Sequence, residues 1–230
     1  MPPIRIVAAG DAALLVSLPQ VIDASLNAWC VAFAEAVAER YGAGVRDAVV
    51  GYASVTVYFD PVLVDPEWLE RELQDLAARL PATAVRSGAV IDVPVLYGGE
   101  MGPDIADVAA FGGCAVDDVV AWHAAVTYRV YLVGFVPGFA YLATVDPRIA
   151  APRRATPRLA MPIGAVAIAG GQTGIYPDTT PGGWNIIGRT PLLPFDPERE
   201  SPSLFKPGDQ VRFQPITEAE FAAFPARGSR

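Results

Sequence analysis

A chain of 230 residues that is 52% hydrophobic can bury a substantial core, as one large domain or two small ones. Its formal net charge of −8 argues against nucleic acid as a partner, because neutralising phosphates takes a clustered basic surface. Two cysteines, Cys30 and Cys114, make no disulfide framework, and no apolar run approaches the ~20 residues of a membrane helix, so a reduced, cytoplasmic setting without membrane association or secretion signal is expected.

In chain order, Ile4 to Ala8 and Ala12 to Leu18 read as short strands joined by a turn at Gly10-Asp11. Asp23 to Tyr41 spaces Leu26, Cys30, Phe33 and Val37 three or four residues apart, which predicts an amphipathic helix closed by Gly42. Val45 to Val50 and Ser54 to Phe59 predict a second strand pair. Asp65-Pro66-Glu67 then supplies an N-cap, a first-turn proline and an early acid for a helix ending near Leu80-Pro81.

From Val85 onward proline and glycine become frequent, which places a domain boundary between residues 85 and 86. Two brief helices, Asp104 to Phe111 and Asp117 to Thr127, flank Gly112-Gly113. Strands are expected at Tyr128 to Phe135, Ala165 to Ala169, Trp184 to Gly188 and Asp209 to Phe213. Many short strands with turn punctuation suggest a barrel or sandwich. Thr217 to Glu220 fits a capping box that opens a short last helix. The fold class is therefore α+β, with an α+β unit over residues 1–85 and a β-rich unit over 86–230.

Positive charge rests almost wholly on arginine, since Lys206 is the single lysine. Arg153, Arg154 and Arg158 crowd a proline-restricted segment, a cluster suited to holding a carboxylate or phosphate, although a solvated ion-pair set explains it equally well. Downstream, Gly170, Gly171, Gln172, Thr173 and Gly174 form a loop whose amides suit an anion; tight barrel corners are the alternative. The loop lacks the lysine of a nucleotide-binding P-loop. Trp184 and Arg189 are candidates to close the same pocket. His123, the sole histidine, is the side chain best matched to proton transfer, while a packed structural role is the common fate of a lone helical histidine. One histidine excludes a multi-histidine metal site, and no metal ligated by this chain is expected. Around Pro137-Gly138, Phe135, Phe139 and Tyr141 serve a core or a partner-facing patch.

Taken together, GFVPGFAYL (Gly134 to Leu142), PRRATPR (Pro152 to Arg158), IAGGQTGIYP (Ile168 to Pro177) and PGGWNIIGRTP (Pro181 to Pro191) resemble the B-type subunit of 5-oxoprolinase, a family also labelled allophanate hydrolase subunit 1 or KipI-type kinase inhibitor. GDAALLV at Gly10 to Val16, VPVLYGGEMGPD at Val93 to Asp104, the His123 to Tyr128 spacing and LFKPGDQVRFQPI at Leu204 to Ile216 extend the resemblance over nearly the whole chain. Ala140, Met161, Ile163 and Ala165 depart from the family's pattern. The resemblance implies a small α+β domain followed by a cyclophilin-like β-barrel. It further implies ATP-dependent hydrolysis of 5-oxoproline, a small-molecule amide, to glutamate, with Mg accompanying the nucleotide. Two partner proteins are implied with it, a C-type (KipA-type) cyclophilin-like subunit and an A-type (LamB/YcsF-type) subunit. On that basis His123 and Arg154 are the expected catalytic residues. Arg153, Arg158, Arg189 and the Gly170 to Gly174 loop are the expected substrate or phosphate binders. Two alternatives follow from the same resemblance: an inhibitor of a histidine kinase acting by binding, and an allophanate hydrolase or urea amidolyase-related subunit, although the chain has no biotin-acceptor lysine motif.

Overall fold

The structure, a computed structural model, describes residues 3–81 and 88–224. The chain divides into two compact units, Met1–Ser87 and Gly88–Arg230. The boundary expected between residues 85 and 86 lies outside the described residues.

In the first unit, β1 (Arg5–Ala8), β2 (Ala13–Ser17), α1 (Ala24–Tyr41), β3 (Val45–Val50), β4 (Ser54–Phe59) and α2 (Pro66–Arg79) build one four-stranded antiparallel sheet, ordered β1-β2-β4-β3, with two helices. Alternation decides which face is covered. Val55, Val57 and Phe59 of β4 and Leu14 and Val16 of β2 share a core with Phe33 and Val37 of α1 and Leu69 and Leu73 of α2. Each such side chain, fully enclosed, stabilises by roughly 1.5–3 kcal/mol. Both helices start where the sequence places a cap: the Asp23 carboxylate accepts from the Ser25 and Leu26 amides, and that of Asp65 from Glu67 and Trp68, all at 2.8–3.0 Å.

The second unit is a closed barrel. Its elements are β5 (Val90–Tyr97), α3 (Ile105–Gly112), α4 (Val116–Ala124), β6 (Thr127–Val133), β7 (Ala140–Ala143), β8 (Arg158–Met161), β9 (Ala165–Ala169), β10 (Gln172–Ile175), β11 (Thr180–Gly182), β12 (Asn185–Arg189), β13 (Gln210–Pro215) and α5 (Glu218–Ala223). Seven strands close in the order β10-β7-β6-β13-β5-β12-β9, and β8 and β11 pair separately as a ribbon. Pairing is antiparallel except between β5 and β13. The expected barrel is borne out. β5, β7, β8, β10 and β11 are strands that hydrophobic patterning did not single out: β7, β8, β10 and β11 have three or four residues, too few alternations to read, and the eight-residue β5 carries Pro94, a residue that argues against a strand. Helix α4 ends three residues before the predicted Thr127, since Thr127 is taken into the β6–β13 ladder opposite Arg212. As anticipated, Thr217 and Glu220 cap α5 reciprocally, the Thr217 amide donating to the Glu220 carboxylate at 2.7 Å and the Glu220 amide to the Thr217 hydroxyl at 3.3 Å.

Strand β9 is buried on both sides, and its alternation sorts two environments. Val166 and Ile168 join Val95, Val130, Leu142, Val211 and Phe213 inside the barrel. Ala165, Ala167 and Ala169 face outward into a second cluster with Phe139, Met161, Tyr176 and Trp184. Alanine on that outer face leaves room for large rings. Among the described residues no helix is long and apolar enough to cross a membrane.

Candidate functional site

His123 lies in the barrel interior. It is fully buried, with its ring centroid 4.5 Å from that of Phe213 and 5.3 Å from that of Tyr128. Its Nδ1 is 2.8 Å from the Tyr97 hydroxyl and its Nε2 is 2.9 Å from Thr173 Oγ1. The Thr173 hydroxyl donates to the Ala167 carbonyl at 3.0 Å, so its single proton is committed. Nε2 must then carry the imidazole proton and donate to Thr173, while Nδ1 accepts from Tyr97. Burial pushes the His123 pKa down to about 3, and the ring is neutral near pH 7. Both nitrogens are occupied within the chain, and the ring ties α4 to β5 and β10.

The clustered arginines lie outside the barrel strands: Arg153 and Arg154 precede β8, and Arg158 opens it. Thr173 sits opposite Ile168 and Leu142, both interior residues, so its neighbour Gly174 points outward. A Cβ added to Gly174 would come within 3.0 Å of Phe139 Cζ and 3.2 Å of Trp184 Cζ3. Here glycine permits the close approach of the aromatic rings. His123 and Arg154, both expected to be catalytic, are not brought together: His123 is enclosed among barrel residues, whereas Arg154 lies in the segment before β8.

On that outer side the segment 152–158 runs along the start of β12. The Asn185 side chain donates to the Pro152 carbonyl at 2.8 Å, and the Arg154 amide donates to the Gly183 carbonyl at 2.8 Å. The residue that organises the cluster is Asp104, at the start of α3 and 2% exposed. Its carboxylate accepts a bidentate pair from Arg158 at 2.7 and 2.8 Å, one bond from Arg154 at 2.5 Å, and one from the Ile186 amide at 2.7 Å. Those four bonds use its full acceptor capacity. The side-chain bonds to Asp104 push the Arg158 pKa up. Asp107, also on α3, lies 3.7 Å from Arg154. Two of the three clustered arginines are thus neutralised from within the chain.

Arg153 joins no ion pair among the described residues. It reaches a cavity of about 190 Å³ walled by Phe135, Phe139, Tyr141, Tyr176, Gly182, Gly183 and Trp184, and it also borders a more open one of about 440 Å³ beside Asp107, Phe111, Arg154 and Asn185. The smaller volume corresponds to about six waters' share of liquid, enough for one small molecule. The rings meet edge to face: Phe139 lies 4.7 Å from Tyr141, 5.0 Å from Tyr176 and 5.6 Å from Trp184. Burial pushes the Tyr176 pKa up to about 12, and Arg153 acts against that shift. At the rim Phe135 is 64% exposed at a positive φ of 72°, an unusual backbone conformation for a bulky residue.

The other predicted binders are placed differently. Gly170 and Gly171 form a two-residue turn between β9 and β10, with Gly170 at φ 57° and its amide donating to the Ala151 carbonyl at 2.7 Å. Gln172, Thr173 and Gly174 belong to β10, paired on both sides by β7 and β9, so the loop expected to cradle an anion is a barrel corner and a strand. Arg189 donates Nε to the Ile163 carbonyl at 2.8 Å and lines neither cavity. Cys114 is partly exposed, with its thiol 3.7 Å from the Ala109 carbonyl. A nucleoside triphosphate fits these residues poorly, since it needs several free cations or amides and, among the described residues of the cluster, Arg153 is the one outside an ion pair. Asp104 was legible in the sequence only as a helix start, and Tyr176 only as the end of a glycine-rich motif.

These features accompany clear kinship. The family model of the carboxyltransferase domain, subdomain C and D, matches residues 4–205. The B-type 5-oxoprolinase subunit of Bacillus subtilis (strain 168) is 35% identical over 225 residues, covering 94% of each chain. That of Escherichia coli O157:H7 is 44% identical over 180 residues, covering 76% of this chain and 79% of the relative. The crystal structure of TTHA0988 superposes with a TM-score of 0.79 at 38% identity over 89% of this chain, which spans 40% of TTHA0988's length. The K. lactis urea amidolyase shares the fold, with a TM-score of 0.77 at 20% identity over 96% of this chain and 15% of its own. The chain belongs to the carboxyltransferase subdomain C and D family and, within it, to the B-type subunits of 5-oxoprolinase.

Proposed function

We propose that this chain is the substrate-holding subunit of a cytoplasmic, ATP-dependent 5-oxoprolinase that opens 5-oxoproline to glutamate together with a KipA-type and a LamB/YcsF-type partner. The observation that carries the reading is the small aromatic-walled cavity with Arg153, which joins no ion pair among the described residues, at its edge. A five-membered lactam bearing one carboxylate matches it: Arg153 takes the carboxylate, and Phe139, Tyr141 and Trp184 enclose the ring. In the reaction water adds to the lactam carbonyl carbon, the C–N bond breaks and the nitrogen gains a proton. This chain's share is to bind, orient and exclude bulk water. Arg154 is held by Asp104 beside the same cavity that Arg153 borders, and His123 braces β10 from inside the barrel, so the proton-moving groups and the nucleotide come from the partner proteins.

The test is co-expression with the KipA-type and LamB/YcsF-type homologues, followed by measurement of 5-oxoproline-dependent ATP hydrolysis and glutamate release. Turnover that requires all three proteins, with a raised KM in Arg153→Ala, is the expected result. A stable complex without turnover would point to another amide substrate, and failure to associate would leave the kinase-inhibitor reading in its place.

A further inference from the structure

We propose that Asp104 is a specificity-determining residue: by pairing with Arg154 and Arg158 it leaves Arg153, among the described residues of this face, as the cation without an ion pair, and so sets this face for a small monoanion such as a carboxylate rather than for a polyphosphate. The inference rests on the reading of the Arg153 cavity as the substrate site and deepens it. Three arginines within six residues would, uncompensated, form a strong polyanion site. Asp104 prevents this from a buried position, with all its acceptor capacity spent on the two guanidiniums and the Ile186 amide. Asp107 adds a second negative charge 3.7 Å from Arg154. The chain also fixes Asp104 through its own backbone, whose amide donates to the Ile186 carbonyl at 2.9 Å. Arg154 borders the 440 Å³ cavity that Arg153 also borders. Removing the Asp104 charge would therefore add uncompensated positive charge to a cavity already open to solvent, and affinity for a polyanion would rise as turnover falls. A residue that merely held the fold would lower both.

The test uses the full chain with inorganic triphosphate as probe, by titration calorimetry at fixed, low ionic strength. Asp104→Asn is expected to bind triphosphate at least about tenfold more tightly than wild type, the yield of one added charge-assisted hydrogen bond. Asp107→Asn, at an exposed position, is expected to tighten it by about twofold. Asp107→Asn decides the matter alone if Asp104→Asn does not fold by circular dichroism. Unchanged or weaker triphosphate binding in folded variants would overturn the proposal, as would wild-type affinity equal to that of Asp104→Asn. The cavity reading fails separately, if Arg153→Ala leaves the KM for 5-oxoproline unchanged in a complex that turns over.

Discussion

Acidification offers a direct test of His123's place in the barrel. Burial holds the imidazole neutral in the folded chain down to about pH 3, whereas the unfolded chain takes up the proton near 6.5. Between those values the unfolded state binds more protons, so the contribution of His123 is fully present above about pH 6.5 and is lost as the pH falls towards 3. At 1.36 kcal/mol per pH unit, moving from pH 7 to pH 4.5 removes about 3 kcal/mol, a large part of a typical domain's stability. Carboxylates titrate over part of the same range, so the assay compares wild type with His123→Gln. Urea unfolding is followed at each pH by hydrogen exchange in β10 and β13 peptides, which report on the barrel unit alone. The difference in stability between the two proteins should shrink by about 3 kcal/mol on going from pH 7 to pH 4.5. An equal pH dependence in both, or an imidazole that titrates near 6.5 in the folded protein by NMR, would refute the assignment.

Other outcomes follow from single contacts. Thr173→Val keeps the side chain's shape but strands the His123 Nε2 proton in the interior, and should lower barrel stability by about 1–3 kcal/mol by the same unfolding measurement, with no change in anion binding. Gly174→Ala forces a methyl group against Phe139 and Trp184; it should cost about 1–3 kcal/mol and alter the near-ultraviolet circular dichroism of the aromatic cluster. Asp23→Ala removes the acceptor for two amides at the start of α1, and should destabilise the first unit by about 0.5–2 kcal/mol while leaving barrel peptides unchanged in hydrogen exchange.

Much of the first unit is written locally. Asp23, Asp65 and Pro66 announce their helices because capping chemistry acts within four residues, and Val55, Val57 and Phe59 show the strand period without reference to anything distant. The crowding of Arg153, Arg154 and Arg158, and the family to which the motifs belong, are likewise present in the one-dimensional chain. What the sequence could not rank is which of those arginines is free. That depends on Asp104, which is 50 residues from Arg154 in the chain and meets it only because Asp104 pairs with Ile186 of β12. Nor could it reveal that Thr173 and Gly174, adjacent in sequence, face opposite environments, since the direction of a side chain on a strand is fixed by the ladder partners on either side. Local propensity thus determined the helices and strands of the first unit, while the tertiary structure of the barrel unit decided that His123 is enclosed and that Arg154 and Arg158 are paired whereas Arg153 joins no ion pair among the described residues.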